Sequence, residues 1–223
     1  SITYETIIER YNSDLANTFG NLVNRTIAMQ NKYFDGVVQT PCYEPECKYV
    51  EDEELKTFSL DTVAKVEKCF ETYRVADAVE AVLNLAKRSN KYIDETTPWI
   101  LGKDESRKAR LASVLYNMLE VIRLTTTLLS CFMPTSMPKA WAQIGATENL
   151  ITYENAAKFG VLPANVTVHK GDALFPRIDA DKEIDELNTL IKAQMEKATA
   201  AQQPKTEVPG VAQIAFDDFS KVE

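Results

Sequence analysis

From Leu15 to Tyr33 the chain repeats a simple pattern: Leu15, Phe19, Leu22, Thr26, Met29 and Tyr33 recur at alternating spacings of four and three. On an α-helix those positions share one seam. The spacing predicts a helix over Asn12–Gly36, closed by Asp35-Gly36 because glycine readily takes the left-handed terminating conformation. Residues 37–58 lose the period and read as an irregular, polar excursion. Ser59 then suits an N-cap, with Asp61 in the first turn and Val63, Val66 and Phe70 behind it. The pattern resumes at Ala78, Val82 and Leu85 and fades near Asn90. The clearest seam is Leu111, Leu115, Met118, Ile122, Thr125, Leu129 and Phe132, ended by Pro134 and Pro138, with a short helix around Lys139–Ile144. Long amphipathic helices without a comparable strand signal predict an all-α, antiparallel helical bundle over residues 1–145. Leu22, Met29, Leu115, Met118, Ile122 and Leu129 should be buried together in it.

Beyond Gly145 the period weakens. Residues 146–203 read as an extension with a short helix over Tyr153–Phe159, two short extended segments in VTVHKGDALFPRI turning at Lys170-Gly171-Asp172, and a charged helix over Asp181–Gln203. That last helix carries one narrow stripe of Ile184, Leu187, Leu190, Ile191 and Met195. Residues 204–223 read as a linker followed by a short tail.

Composition narrows the function classes. A net charge of −8 argues against a protein that binds nucleic acid everywhere on its surface. The charge is uneven, because 84–110 holds seven Lys or Arg against four Asp or Glu, so a local basic face remains available. The absence of a long apolar run and of a basic-then-apolar start predicts a cytoplasmic chain without a membrane partner. Cys42 and Cys47 have the spacing of half a metal site, yet neither a second cysteine pair nor a nearby histidine completes four ligands. Free, reduced thiols and no metal are therefore expected. His169, the single histidine, has no adjacent nucleophile and reads as an exposed strand residue. The Asn12–Gly36 helix has an unusual load of amides: Asn17, Asn21, Asn24 and Asn31 lie roughly opposite its apolar seam. Asparagine is a poor helix former, so either a solvated face, bonds to neighbouring helices, or a surface reading base edges must account for them.

Five blocks, DLANTFGNLVNR, NKYFDGVV, NKYIDETTPWILGKD, FMPTSMPKAW and ALFPRID, occur in this order and together resemble the part of bacterial methionyl-tRNA synthetases that follows the catalytic domain. The resemblance covers most of residues 1–180. It implies a class I synthetase anticodon-binding bundle and a role in recognising tRNA(Met) for an upstream catalytic domain, with ATP as the parent enzyme's cofactor and none in this part. The HIGH-like and KMSKS-like elements of a class I active site are missing, so no catalytic residue is expected here. In the family a tryptophan following proline stacks on the first anticodon base, while an asparagine and an arginine four residues apart hydrogen-bond it. The matching positions are Asn21, Arg25 and Trp99, all retained. Aromatic stacking combined with amide and guanidinium donors suits an unstacked base. Structural roles stand beside this reading: a helix–helix bond for Asn21, a surface ion pair for Arg25, a core tryptophan for Trp99. The last residues, IAFDDFSKVE, resemble the opening of the family's C-terminal oligonucleotide-fold tRNA-binding module. Two other classes are open at this point, the anticodon domain of another class I synthetase and a helical protein-interaction scaffold. DNA is not an expected partner.

Overall fold

The computed structural model of the chain describes residues 2–42, 44 and 47–201, the side chains of 200 and 201 excepted. Helix α1 (Tyr4–Arg10) runs into a π-helical stretch, Tyr11–Gly20, and on into α2 (Asn21–Phe34). There follow α3 (Val50–Glu71), α4 (Val75–Thr96), the single turn α5 (Pro98–Leu101), α6 (Lys108–Leu129), α7 (Met137–Ile144), the single turn α8 (Tyr153–Ala156) and α9 (Ala180–Ala201). One compact unit ends at Ile178 and a second begins at Asp179. The linker and tail expected over 204–223 lie outside the described residues.

α6 is the axis of the first unit. Every residue from Arg110 to Leu129 except Asn117 is buried, and α2, α3, α4, α5, α7 and α8 all pack on it. A helix enclosed on all sides must satisfy its own polar groups. Thr125, Thr126 and Thr127 donate to the carbonyls one turn back, of Val121, Ile122 and Arg123, at 2.7, 2.6 and 2.8 Å. Glu120 and Arg123, both fully buried, form an ion pair at 2.8 Å. Glu120 accepts from the backbone N–H groups of Gly160, Val161 and Leu162. Arg123 donates to the carbonyls of Leu150, Asn155 and Lys158. One charge pair thus binds both sides of the 150–162 segment, and no donor of the guanidinium goes to water.

The expected core set closes with one shift. Leu22, Leu115, Met118, Ile122 and Leu129 are fully buried, whereas Met29 is half-buried beside the core. In α2 the buried stripe is Leu22, Val23, Thr26, Ile27 and Gln30, so Met29 and Tyr33 flank it. The π-helical stretch just upstream is the local irregularity. Thr18 donates to the carbonyl of Ser13, five residues back, at 2.8 Å, and the Asn90 amide of α4 donates to the Thr18 carbonyl at 2.9 Å. ALFPRID lies across this stretch: Phe175 meets Tyr11 and Phe19 edge-on, and Asn12 exchanges two hydrogen bonds with the Ile178 backbone.

Four expectations need correction. Ser59 is not an N-cap; it lies inside α3, buried, donating to the Leu55 carbonyl at 2.7 Å. The helix starts at Val50 because Glu51, Asp52 and Glu53 occupy its first turn, where acidic side chains oppose the positive end of the helix dipole. The two extended segments do not pair as a hairpin. Instead Val37 and Thr167 form an isolated antiparallel bridge, with bonds from Val38 N–H to Val166 and from Val168 N–H to Gly36, both 2.8 Å. His169 is exposed outside any strand and donates its backbone N–H to Gln143. Cys42 and Cys47 are joined as a disulfide rather than free thiols, their Cα atoms 5.8 Å apart. That separation lies within bridging range, and Ser113 Oγ anchors Cys42 to α6 by accepting from its N–H at 2.8 Å.

Candidate nucleic-acid interface

Asn21 opens α2, and Arg25 follows one turn later. Asn21 is exposed, and its side chain has no hydrogen-bond partner among the described residues. Arg25 keeps 33% of its side chain exposed and donates Nη2 to Asp94 Oδ1 at 3.5 Å. Its guanidinium carbon lies 5.9 Å from the ring centroid of Trp99.

Trp99 reaches this place through a local sequence device. Pro98 disfavours α-helix at the residue before it, and Thr97 turns left-handed with φ 45 and ψ 57, ending α4. The chain then forms α5, with Pro98 at its start, Pro98 and Leu101 buried, and Trp99 and Ile100 facing outward at 39% and 49% exposure. Trp99 is therefore neither a core tryptophan nor a lone surface ring. It stands against a cation on the neighbouring helix, at a distance suited to cation–π attraction.

A buried network holds the end of α4 in place. The Tyr92 hydroxyl donates to Asp52 Oδ1 at 2.6 Å and accepts from Asn117 Nδ2 at 3.1 Å. Arg110 donates to both Asp52 oxygens and to Glu51, and its guanidinium lies 3.7 Å from the Tyr49 ring centroid. Burial, reinforced by the Asp52 charge, pushes the Tyr92 phenol well above its ordinary range. Burial works against the charge of Arg110, but the Asp52 hydrogen bonds and neighbouring negative charges hold it above its usual value. The network ties α3, α4 and α6 together two turns before Trp99.

Charges that look separate in sequence meet in space. Arg88 pairs with Glu54 and Glu95, Lys91 with Glu95, and Arg110 with Glu51 and Asp52, so the acidic start of α3 neutralises much of the basic stretch 84–110. Lys103 is exposed with no ionic partner among the described residues, and Lys108 holds only Glu105. Sequence reasoning offered a surface ion pair for Arg25 without naming Asp94 as its partner, and missed exposed Ile100 beside Trp99. Both sit in the YIDETTPWI stretch, where an acid one turn before the Thr97-Pro98 break was the available signal. Among the described residues no cluster of His, Cys, Asp and Glu is arranged to hold a metal, and no helix is long and apolar enough to cross a membrane.

Residues 54–207 match the family model described as the anticodon-binding domain of tRNA ligase. The chain is 42% identical over 219 residues to the methionine–tRNA ligase of Caldanaerobacter subterraneus subsp. tengcongensis, covering 98% of this chain and 32% of that protein. It is likewise 42% identical over 221 residues to the enzyme of Halalkalibacterium halodurans, covering 99% and 33%. The apo methionyl-tRNA synthetase structure of Mycobacterium tuberculosis superposes with a TM-score of 0.73 at 30% identity, over 80% of this chain and 35% of that one. The chain thus spans about a third of the length of the curated relatives it matches.

Proposed function

Since the chain belongs to the anticodon-binding domain family of tRNA ligases and is homologous to methionine–tRNA ligases, we propose that it reads the anticodon of tRNA(Met) as the C-terminal part of such an enzyme. The parent enzyme would join methionine to tRNA in the cytoplasm, using ATP in a catalytic domain upstream of this one. The observation that carries the reading is the exposed Trp99 ring held beside the Arg25 guanidinium, with the Asn21 amide, unpartnered among the described residues, one turn from Arg25 on the same helix.

In this proposal Trp99 offers a π-face on which the first anticodon base stacks, a contact worth about 1–3 kcal/mol. Arg25 donates to a carbonyl oxygen or ring nitrogen of that base, and Asn21 both donates and accepts on the same edge. The Arg25–Asp94 pair does not prevent this. It is long, and its acid is 68% exposed, so little is lost when the guanidinium turns to a base. The methionine specificity named for the relatives favours tRNA(Met) over the tRNA of another class I synthetase. The proposal is tested by Trp99→Ala in the intact enzyme. Aminoacylation of tRNA(Met) should fall while methionine-dependent ATP–pyrophosphate exchange stays unchanged; equal loss of both, or of neither, would contradict it.

A further inference from the structure

We propose that Asn90 of α4 is a positioning residue for base reading. It ties the π-helical stretch that precedes α2 to the helix that leads to Trp99, and so sets how Arg25 and Trp99 face each other. This rests on the anticodon reading given above and adds to it a residue that touches no base.

The two halves of the candidate site stand on different helical paths. Asn21 and Arg25 open α2, while Trp99 follows the Thr97 break at the end of α4. Three polar ties join the two paths among the described residues. Lys87 reaches Asp14 at 3.8 Å and Arg25 reaches Asp94 at 3.5 Å. Both are long and have an exposed partner, Lys87 in one and Asp94 in the other, so they fix little. The third is short: Asn90 Nδ2 donates to the Thr18 carbonyl at 2.9 Å. Thr18 lies about one turn before Asn21, and Asn90 one turn before Asp94, so this bond joins the two helices at the edge of the site.

The π-helical geometry makes the bond possible. The Asn21 N–H donates to the Ala16 carbonyl, five residues back, and the Thr18 hydroxyl to that of Ser13 over the same span. Where such wide bonds give way to those of α2, N–H groups and carbonyls no longer match one to one, and a carbonyl can take a donor from outside. Phe175 packs on the same stretch, edge-on to Tyr11 and Phe19. Asn90 spends its donors on Thr18 and, at 3.2 Å, on the Ala86 carbonyl of its own helix. Its Oδ1 is buried with no partner among the described residues. A buried acceptor left unpaired costs stability, so an apolar side chain would serve the packing at least as well. What the amide supplies instead is a directed bond. A guanidinium 5.9 Å from a ring centroid is near the limit of cation–π attraction, so the site needs its two helices held at a fixed offset.

The test takes two measurements on the full chain. One is the urea midpoint; the other is discrimination, the ratio of Kd for an anticodon stem-loop RNA and for one altered only at its first anticodon base. Asn90→Leu removes the unpaired acceptor together with the donor, so the midpoint should hold or rise. Discrimination should nevertheless fall, to within about twofold of that of Arg25→Gln. Because Asn90 acts through Arg25 and Trp99, the double variant should discriminate no worse than Arg25→Gln alone. Circular dichroism verifies each fold, and Asn90→Ala replaces Asn90→Leu if that variant fails. Wild-type discrimination in the Asn90 variant, whatever its midpoint, with a loss in Arg25→Gln would overturn the role of Asn90 and leave the anticodon reading standing. Additive losses in the double variant would overturn the route through Arg25. Unchanged discrimination in every variant would overturn both Asn90 and the reading it rests on.

Discussion

Trp99 and Arg25 make the sharpest residue-scale predictions. Trp99→Ala removes a ring whose exposed surface has little to do with the core, so the fold should survive. tRNA affinity should drop by the worth of one stacked base, about fivefold to a hundredfold. Arg25→Gln puts a shorter, neutral amide in place of the guanidinium, and should relax discrimination at the first anticodon position more than it lowers affinity. Binding competition among RNAs differing only at that base would reveal it, and unchanged discrimination would count against Arg25 as a reader. Gly102→Ala addresses packing instead. Its Cβ would collide with Tyr33, and displacing a packed ring costs about 1–3 kcal/mol. Urea denaturation should show the loss as a lower midpoint.

At the scale of elements, the buried Glu120–Arg123 pair is the part most exposed to a single change. Glu120→Ala leaves the Arg123 charge buried at zero exposure without its partner, a loss of about 3–5 kcal/mol. Replacing both residues by apolar ones should cost less than either single change, and hydrogen exchange should rise first at Gly160, Val161 and Leu162, whose N–H groups lose their acceptor. Tyr92 gives a pH signature. Its phenol ionises less readily folded than unfolded, so its contribution is intact below the unfolded value of about 10 and is lost as the pH rises beyond it. Wild-type stability should therefore decline above that pH more steeply than that of Tyr92→Phe; parallel alkaline curves would contradict the assignment.

These elements were unequally visible in the sequence. α2, α6 and α7 follow from spacing and from Asp35-Gly36, Pro134 and Pro138, because one-sided periodicity and strong terminators are local signals. The start of α3 was hidden, since EDEE reads as polar loop until its role at the helix terminus is recognised. The full enclosure of α6 appears only once its neighbours surround it. The π-helical stretch has no local signature; it depends on Asn90 from another helix and on Phe175 far along the chain. The residues of the candidate site were legible through the family resemblance and the Thr97-Pro98 break. Their meeting was not, because it depends on how α4 lies against α2.

For the whole molecule, electrostatics set the conditions of binding. The net charge of −8 and the pairing of Arg88 and Arg110 within the bundle leave few cations for phosphates. Binding of the isolated chain to tRNA should consequently be weak and strongly salt-sensitive. No phosphate-cradling loop or HIGH-like motif is present in the chain, so methionine-dependent ATP–pyrophosphate exchange should remain at background and be restored by a covalently joined upstream domain. The most direct test of the central claim is a filter-binding comparison of this chain with tRNA(Met) and with the same transcript altered only at the first anticodon base. The account predicts tighter binding to the unaltered tRNA, with the difference abolished by Trp99→Ala. Equal affinity for both transcripts, or a preference that survives Trp99→Ala, would contradict it.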